Sequence, residues 1–158
     1  MPTPTYYPIA SVTASGSTTS VSLTGLGGYE NLLIRAYYSF SNAGNLIYIN
    51  GSGAGVTHDQ ITLVNGGTSA VLENNTYAYL NQGGNLSSVY GIANIYIPNY
   101  GDTGIFKPYY IDSFWDTNIN MAMITGNWKS TNAITSITFE AGTNFTNLSK
   151  FTAFGWDA

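Results

Sequence analysis

Any proton-transfer chemistry in this chain has to pass through one pair, His58-Asp59, because there is no other histidine and no cysteine. A Ser-His-Asp triad needs an imidazole oriented by a carboxylate on one side and a hydroxyl on the other. A histidine next to its carboxylate in sequence does not have that geometry, and no Gly-x-Ser-x-Gly turn supplies an elbow for a nucleophile. His58 therefore reads as a loop or surface residue. Asp102-Thr103-Gly104 matches the tripeptide of retroviral-type aspartic proteases. In those enzymes an apolar strand leads into the aspartate, whereas here Asn99-Tyr100-Gly101 precedes it, which is turn chemistry. Asp112 and Asp116 are the next carboxylates in close spacing, but four residues of extended chain separate them by roughly 13 Å, beyond the ~5–9.5 Å of glycosidase pairs. One histidine and scattered oxygen ligands make no metal set. No catalytic residue, no metal and no cofactor is expected.

The remaining inventory suits surfaces better than reactions. Of 158 residues only four are Lys or Arg and eight are Asp or Glu, whereas thirteen are Tyr and eighteen Gly. Arg35, Lys107, Lys129 and Lys150 stand singly in a chain of net charge −4, so no basic patch can neutralise a phosphate backbone, and nucleic acid is not expected as a partner. A soluble monomer keeps about a quarter of its residues charged; this chain keeps 8%. A coat of Ser, Thr, Asn, Gly and Tyr suits a protein packed beside copies of itself or other proteins, or one that meets glycans. An aromatic face beside Asn or Asp matches a pyranose, and Tyr100, Trp115 and Trp128 are the candidates for glycan stacking, with core or intersubunit packing as the other use of such rings. Gly51-Ser52-Gly53-Ala54-Gly55 lacks the spacing of a phosphate-binding loop and reads as a flexible hairpin loop. Asn-x-Ser/Thr sequons at Asn50, Asn74, Asn85, Asn144 and Asn147 are no more than this composition yields by chance, so they carry no inference about glycosylation.

These residues have to be positioned by strands. In Leu32 to Phe40 the even positions Leu32, Ile34, Ala36, Tyr38 and Phe40 form one apolar face, while Arg35 and Ser39 fall on the other. Ser20 to Thr24 alternates in the same way, and in Ser136 to Glu140 the residues Ile137 and Phe139 point inward. Ile34, Ala36, Tyr38, Ile95, Ile97, Ile137 and Phe139 are the expected core. Further strands are expected over Ile9 to Thr13, Leu46 to Ile49, Gln60 to Val64, Thr76 to Leu80, Val89 to Ile97, Pro108 to Trp115, Asn120 to Trp128 and Phe151 to Trp156. Turn clusters separate them, Gly25-Leu26-Gly27-Gly28 and Gln82-Gly83-Gly84-Asn85 among them. No window shows a capped helical period. The fold class expected is all-β, an antiparallel β-sandwich, jelly-roll-like, with long loops between Gly51 and Gly84.

One domain is expected over residues 9–158, preceded by an extended arm over residues 1–8, where prolines remove backbone donors. Pro2, Pro4, Tyr6, Tyr7 and Pro8 are the interface candidates in that arm. The same segment has neither a basic n-region nor an apolar h-region, and no apolar run approaches the length of a membrane span, so neither classical export nor a membrane location is expected.

The second half carries a set of segments in fixed order: Ile95-Tyr96-Ile97-Pro98-Asn99-Tyr100, then Lys107, then Gly126-Asn127-Trp128, then Ala133-Ile134-Thr135-Ser136-Ile137-Thr138, then Phe154-Gly155. With Tyr7-Pro8-Ile9-Ala10 and Tyr29 to Arg35 as looser matches, it resembles a family of short tailed-phage virion proteins common in phages of cyanobacteria and other aquatic bacteria. The match spans roughly two thirds of the chain; Gly51 to Ser88 matches little, and Trp156 stands where the family often has a smaller apolar residue. The resemblance implies a non-enzymatic virion protein assembled in the host cytoplasm. Proteins of that kind are capsid decoration, or cement, subunits or adhesive pieces of tail fibres. One compact domain, an extended arm suited to lying across a neighbour and no coiled-coil or shaft segment favour decoration. The expected partners are then the major capsid protein and copies of itself in a homo-oligomer, a trimer being one form. The alternative is a tail-fibre receptor-binding module that meets a host glycan.

Overall fold

The structure is a computed structural model that describes residues 5–40, 45–51, 56–64, 67–75, 78–80, 90–115 and 120–157. Twelve strands run in order: β1 (Tyr7–Thr13), β2 (Ser20–Thr24), β3 (Asn31–Tyr38), β4 (Asn45–Ile49), β5 (Val56–Val64), β6 (Gly67–Asn75), β7 (Ala78–Tyr79), β8 (Gly91–Ile97), β9 (Lys107–Trp115), β10 (Asn120–Trp128), β11 (Ser136–Ala141) and β12 (Lys150–Trp156). They form two antiparallel sheets, an eight-stranded one in the order β1-β12-β3-β8-β9-β10-β5-β6 and a four-stranded one in the order β2-β11-β4-β7. The chain is an all-β antiparallel sandwich.

The pairing is nested. β1 pairs with β12, β2 with β11, β3 with β8 and β4 with β7, as in a long hairpin rolled up on itself. Two further hairpins, β5–β6 between β4 and β7 and β9–β10 between β8 and β11, both join the β8 side of the large sheet. They double that sheet from four strands to eight.

Alternation sets which residues meet between the sheets. All seven expected core residues, Ile34, Ala36, Tyr38, Ile95, Ile97, Ile137 and Phe139, are buried. Phe139 of the small sheet stacks on Phe151 of the large one with centroids 4.5 Å apart, and Phe145 meets Phe151 edge-on at 5.4 Å. Such ring pairs add about 0.5–1.5 kcal/mol beyond the area they bury. Beside them Ile47, Ile49 and Ile137 face Ile95, Ile97 and Ile111 across a gap of about 10 Å³, at the lower limit for one water and without a polar partner for it, so it stays dry.

Two expectations are corrected. Tyr7 and Pro8 are not arm residues but the start of β1, paired with Gly155 and Phe154, and the register slips between Pro8 and Ala10. An edge strand tolerates a proline because one of its sides carries no ladder, and a bulge at an edge absorbs the mismatch. The stretch from Gly51 to Gly84 is not mainly loop: β5 and β6 are nine-residue strands. Pro2, Pro4, Asp116 and the loop Ser52–Gly55 lie outside the described residues.

Candidate functional site

The outer faces of the two sheets differ on their described strands, β4 and β7 of the small sheet adding the partly exposed Leu46, Tyr48 and Tyr79 to the polar positions of β2 and β11. On the four-stranded sheet the outward positions of β2 and β11 are Ser20, Ser22, Thr24, Ser136, Thr138 and Glu140, with Ser22 and Thr138 joined hydroxyl to hydroxyl at 2.7 Å. On the eight-stranded sheet the outward positions are largely apolar. Tyr37 (45%), Ile92 (52%), Phe114 (48%), Met123 (42%) and Tyr96 (39%) all lie there.

Register arranges them in three rows across the strands. The first runs Phe154, Leu33, Tyr96, Tyr110. The third runs Lys150, Tyr37, Ile92, Phe114, Met121, with the exposed lysine at its β12 end. Between them lies a polar row, Thr152, Arg35, Asn94, Asp112, closed by Met123. Cross-strand neighbours stand about 4.5–5.5 Å apart, so each row is continuous. At 150–250 Å² per large side chain, the five half-exposed ones alone leave roughly 450 Å² of mainly apolar surface, within the ~300–600 Å² of the largest patch on a typical monomer, which is often functional. Arg35 leans over the Phe154 ring at 5.9 Å, and Asp112 Oδ1 accepts the backbone N–H of Asn94 at 3.2 Å. Neither forms an ion pair among the described residues.

At the β1 edge the rings close over one another. Tyr6 packs on Trp156 at 5.0 Å, Tyr96 on the same indole at 5.2 Å, and Tyr7 stacks on Tyr29 at 5.7 Å. Tyr29 lies so close over Gly155 that a Cβ there would overlap its ring, so glycine is the residue that fits. Tyr6 and Tyr7 stay half-exposed. They are anchored on their own domain and still present ring surface beside the apolar face.

The proposed glycan platforms are not platforms. Tyr100, Trp115 and Trp128 are all buried, and a buried ring has no face for a sugar. Trp115 shares its parity with Ile111 and Trp128 shares its parity with Ile124, both core positions, so strand alternation carries the signal for their burial. The segments that carry the family resemblance converge at one end of the sandwich. Tyr100 C=O accepts the N–H of Ile134 at 2.9 Å, Lys107 pairs with Trp128 across β9 and β10, and Lys107 Nζ donates to the carbonyl oxygens of Ile105 at 2.6 Å and Thr131 at 3.4 Å.

Lys107, one of the four cations that stand singly in the sequence, is fully buried, which no sequence signal marks. Burial pushes its ammonium below the usual lysine range, against a smaller upward pull from Asp102. A folded-state value below the unfolded one means that the unfolded chain binds more protons between the two, so stability rises with pH across that window. Lys107→Met keeps the stem and drops the charge. Its urea midpoint is expected to change less than the wild type's between pH 7 and the unfolded lysine value of about 10.4.

Asp102 makes a turn. Its Oδ1 accepts the N–H of Gly104 at 2.6 Å, and Asp102 N–H donates to Asn99 C=O at 3.1 Å, with Asn99 in the left-handed region at φ 50°. His58 lies within β5, opposite Gly126 and Asn75, on a strand rather than a loop. Among the described residues no group of three or more His, Cys, Asp or Glu converges, and no helix is long and apolar enough to cross a membrane. No family model, no curated protein and no solved structure matches the chain.

Proposed function

We propose that the chain is a non-enzymatic structural protein of a tailed-phage virion, a capsid decoration subunit that stabilises adjacent capsomers by covering surface on them and on copies of itself. The observation that carries this function is the outer face of the eight-stranded sheet, where half-exposed rings and methionines lie in continuous rows on a chain with few charges. A face of that composition is stable in water when a protein covers it. The nested pairing supports a jelly roll, with β1-β12-β3-β8 and β2-β11-β4-β7 as its two sheets. The β5–β6 and β9–β10 hairpins are additions that widen one sheet and so widen the face.

The ordered segments shared with phage virion proteins support the same assignment, because they fall on scaffold positions such as Tyr100, Lys107 and Trp128. A decoration subunit works by mass action: each contact it makes with the assembled shell but not with free capsomers adds to the work of separating them. It needs no catalytic group.

The tail-adhesin alternative draws on one observation, the exposed Tyr37 and Tyr96 near Asn94 and Asp112 on the same face. Ile92, Phe114 and Met123 offer a sugar no hydrogen bond, and the face is an open sheet surface, whereas ligand sites are concave. Quantifying this chain against the major capsid protein in purified virions separates the two. Decoration gives hundreds of copies per particle. A few to some tens would move the chain to the tail, and none would end the virion assignment.

A further inference from the structure

We infer that the outer face of the eight-stranded sheet is covered by a second copy of this chain, packed face to face about a two-fold axis that runs along β8. The inference rests on that face being an assembly surface and names its first occupant.

The charges choose the partner and the axis. Arg35 on β3 and Asp112 on β9 flank Asn94 on β8 in one row, one strand to either side. A two-fold axis in the plane of contact and parallel to β8 carries each residue to the other side of β8 while keeping its row. It therefore sets Arg35 of each copy over Asp112 of the other, giving two reciprocal ion pairs, with Asn94 facing Asn94. The apolar rows match under the same operation: Tyr37 meets Phe114, Leu33 meets Tyr110, and Ile92 and Tyr96 each meet themselves. An axis across the strands would set Arg35 over Arg35 and Asp112 over Asp112, so like charges oppose that arrangement.

Position and size agree with this. β8 is fourth of eight strands, so an axis along it lies near the middle of the sheet and leaves only β6 without an opposite strand. Eight strands about 4.8 Å apart and some seven residues long make a face of roughly 800 Å², the area a partner contributes to a standard stable interface. The outer face of the small sheet is polar on β2 and β11, and on β4 and β7 it presents Leu46, Tyr48 and Tyr79, which are less exposed than the half-exposed rings of the large sheet; it would remain open to other contacts.

The test is sedimentation equilibrium of the full chain from about 1 to 100 μM, where a specific interface of this size registers. The wild type is expected to be a dimer in this range. Arg35→Asp should weaken it at least about tenfold, and Arg35→Asp with Asp112→Arg should restore it, which a merely structural role for either residue would not do. Asp112 also holds the Asn94 amide, so a second measurement stands apart from that swap. The chain has no cysteine, so Asn94→Cys supplies a single thiol on the axis. A short bis-maleimide should link it to its copy, whereas Ser20→Cys on the other sheet should stay unlinked.

A monomeric wild type, an Arg35→Asp variant of unchanged affinity, a double variant that folds but does not dimerise, or equal cross-linking at Asn94→Cys and Ser20→Cys would overturn the inference. A monomer that still occupies virions in hundreds of copies would overturn the dimer and leave the decoration function standing. A dimer absent from virions would do the reverse.

Discussion

Phe139→Ala is expected to cost about 3–5 kcal/mol of folding stability, the range for deleting a fully buried phenyl ring. Phe139 lies on β11, the second strand of the small sheet, between Val21 of β2 and Ile47 of β4, and its ring stacks on Phe151 of the opposite sheet. The cavity left by alanine would be walled on three sides by strands whose hydrogen bonds resist collapse. At roughly 2–4 °C per kcal/mol for a chain of this size, the melting temperature should fall by about 6–20 °C. Phe139→Leu should recover most of the loss. A cost below about 1 kcal/mol would mean that Phe139 does not face the other sheet.

The second large effect is expected at Asn50, just beyond β4, where the backbone enters the left-handed region at φ 51°. Its side chain fastens that turn to the segment leading into β11: Nδ2 donates to Ala133 C=O at 2.7 Å, and Oδ1 accepts the N–H of Thr135 at 2.8 Å and of Ser136 at 3.1 Å. Asn50→Ala removes all three bonds, leaves two amides without an acceptor and puts a Cβ where only Gly, Asn and Asp sit readily. Together these should cost about 2–4 kcal/mol. Asn50→Gly relieves the backbone and loses the same bonds, so it separates the two causes. If glycine is as stable as asparagine in urea melts, the backbone relief offsets the hydrogen bonds, and the bonds add no net stability over glycine at this position.

How far the sequence reaches can be read from individual residues. Ile34, Ile95 and Phe139 were legible because a strict period of two has only one buried face. The outer face was partly legible in the same way: Ile92, Ile95, Tyr96 and Ile97 place apolar residues on both parities of β8, the pattern of a strand covered on both sides. β6 was not legible, since Gly67-Thr68-Ser69-Ala70 reads as a turn and the strand is specified by its partner β5. The burial of Lys107 was not legible either. Its acceptors, the carbonyl oxygens of Ile105 and Thr131, come together only once β9 and β10 have paired. Tyr6 and Tyr7 stand out in the sequence as large rings, but their packing within the domain was not legible, because Trp156 and Tyr29, which they pack on, lie on remote segments that only the closed sheet brings to them.

The central claim is that the rows on the eight-stranded sheet are covered in the assembled particle, and oxidative footprinting of the chain, diluted until monomeric, against intact virions tests it most directly. Met123, Tyr37 and Phe114 are half-exposed and oxidisable, and Tyr48 and Tyr79 on the outer side of the small sheet serve as internal references. Modification of Met123, Tyr37 and Phe114 should fall several-fold on the virion relative to those references. Equal labelling of Met123, Tyr37 and Phe114 in the monomeric chain and on the virion would contradict the claim.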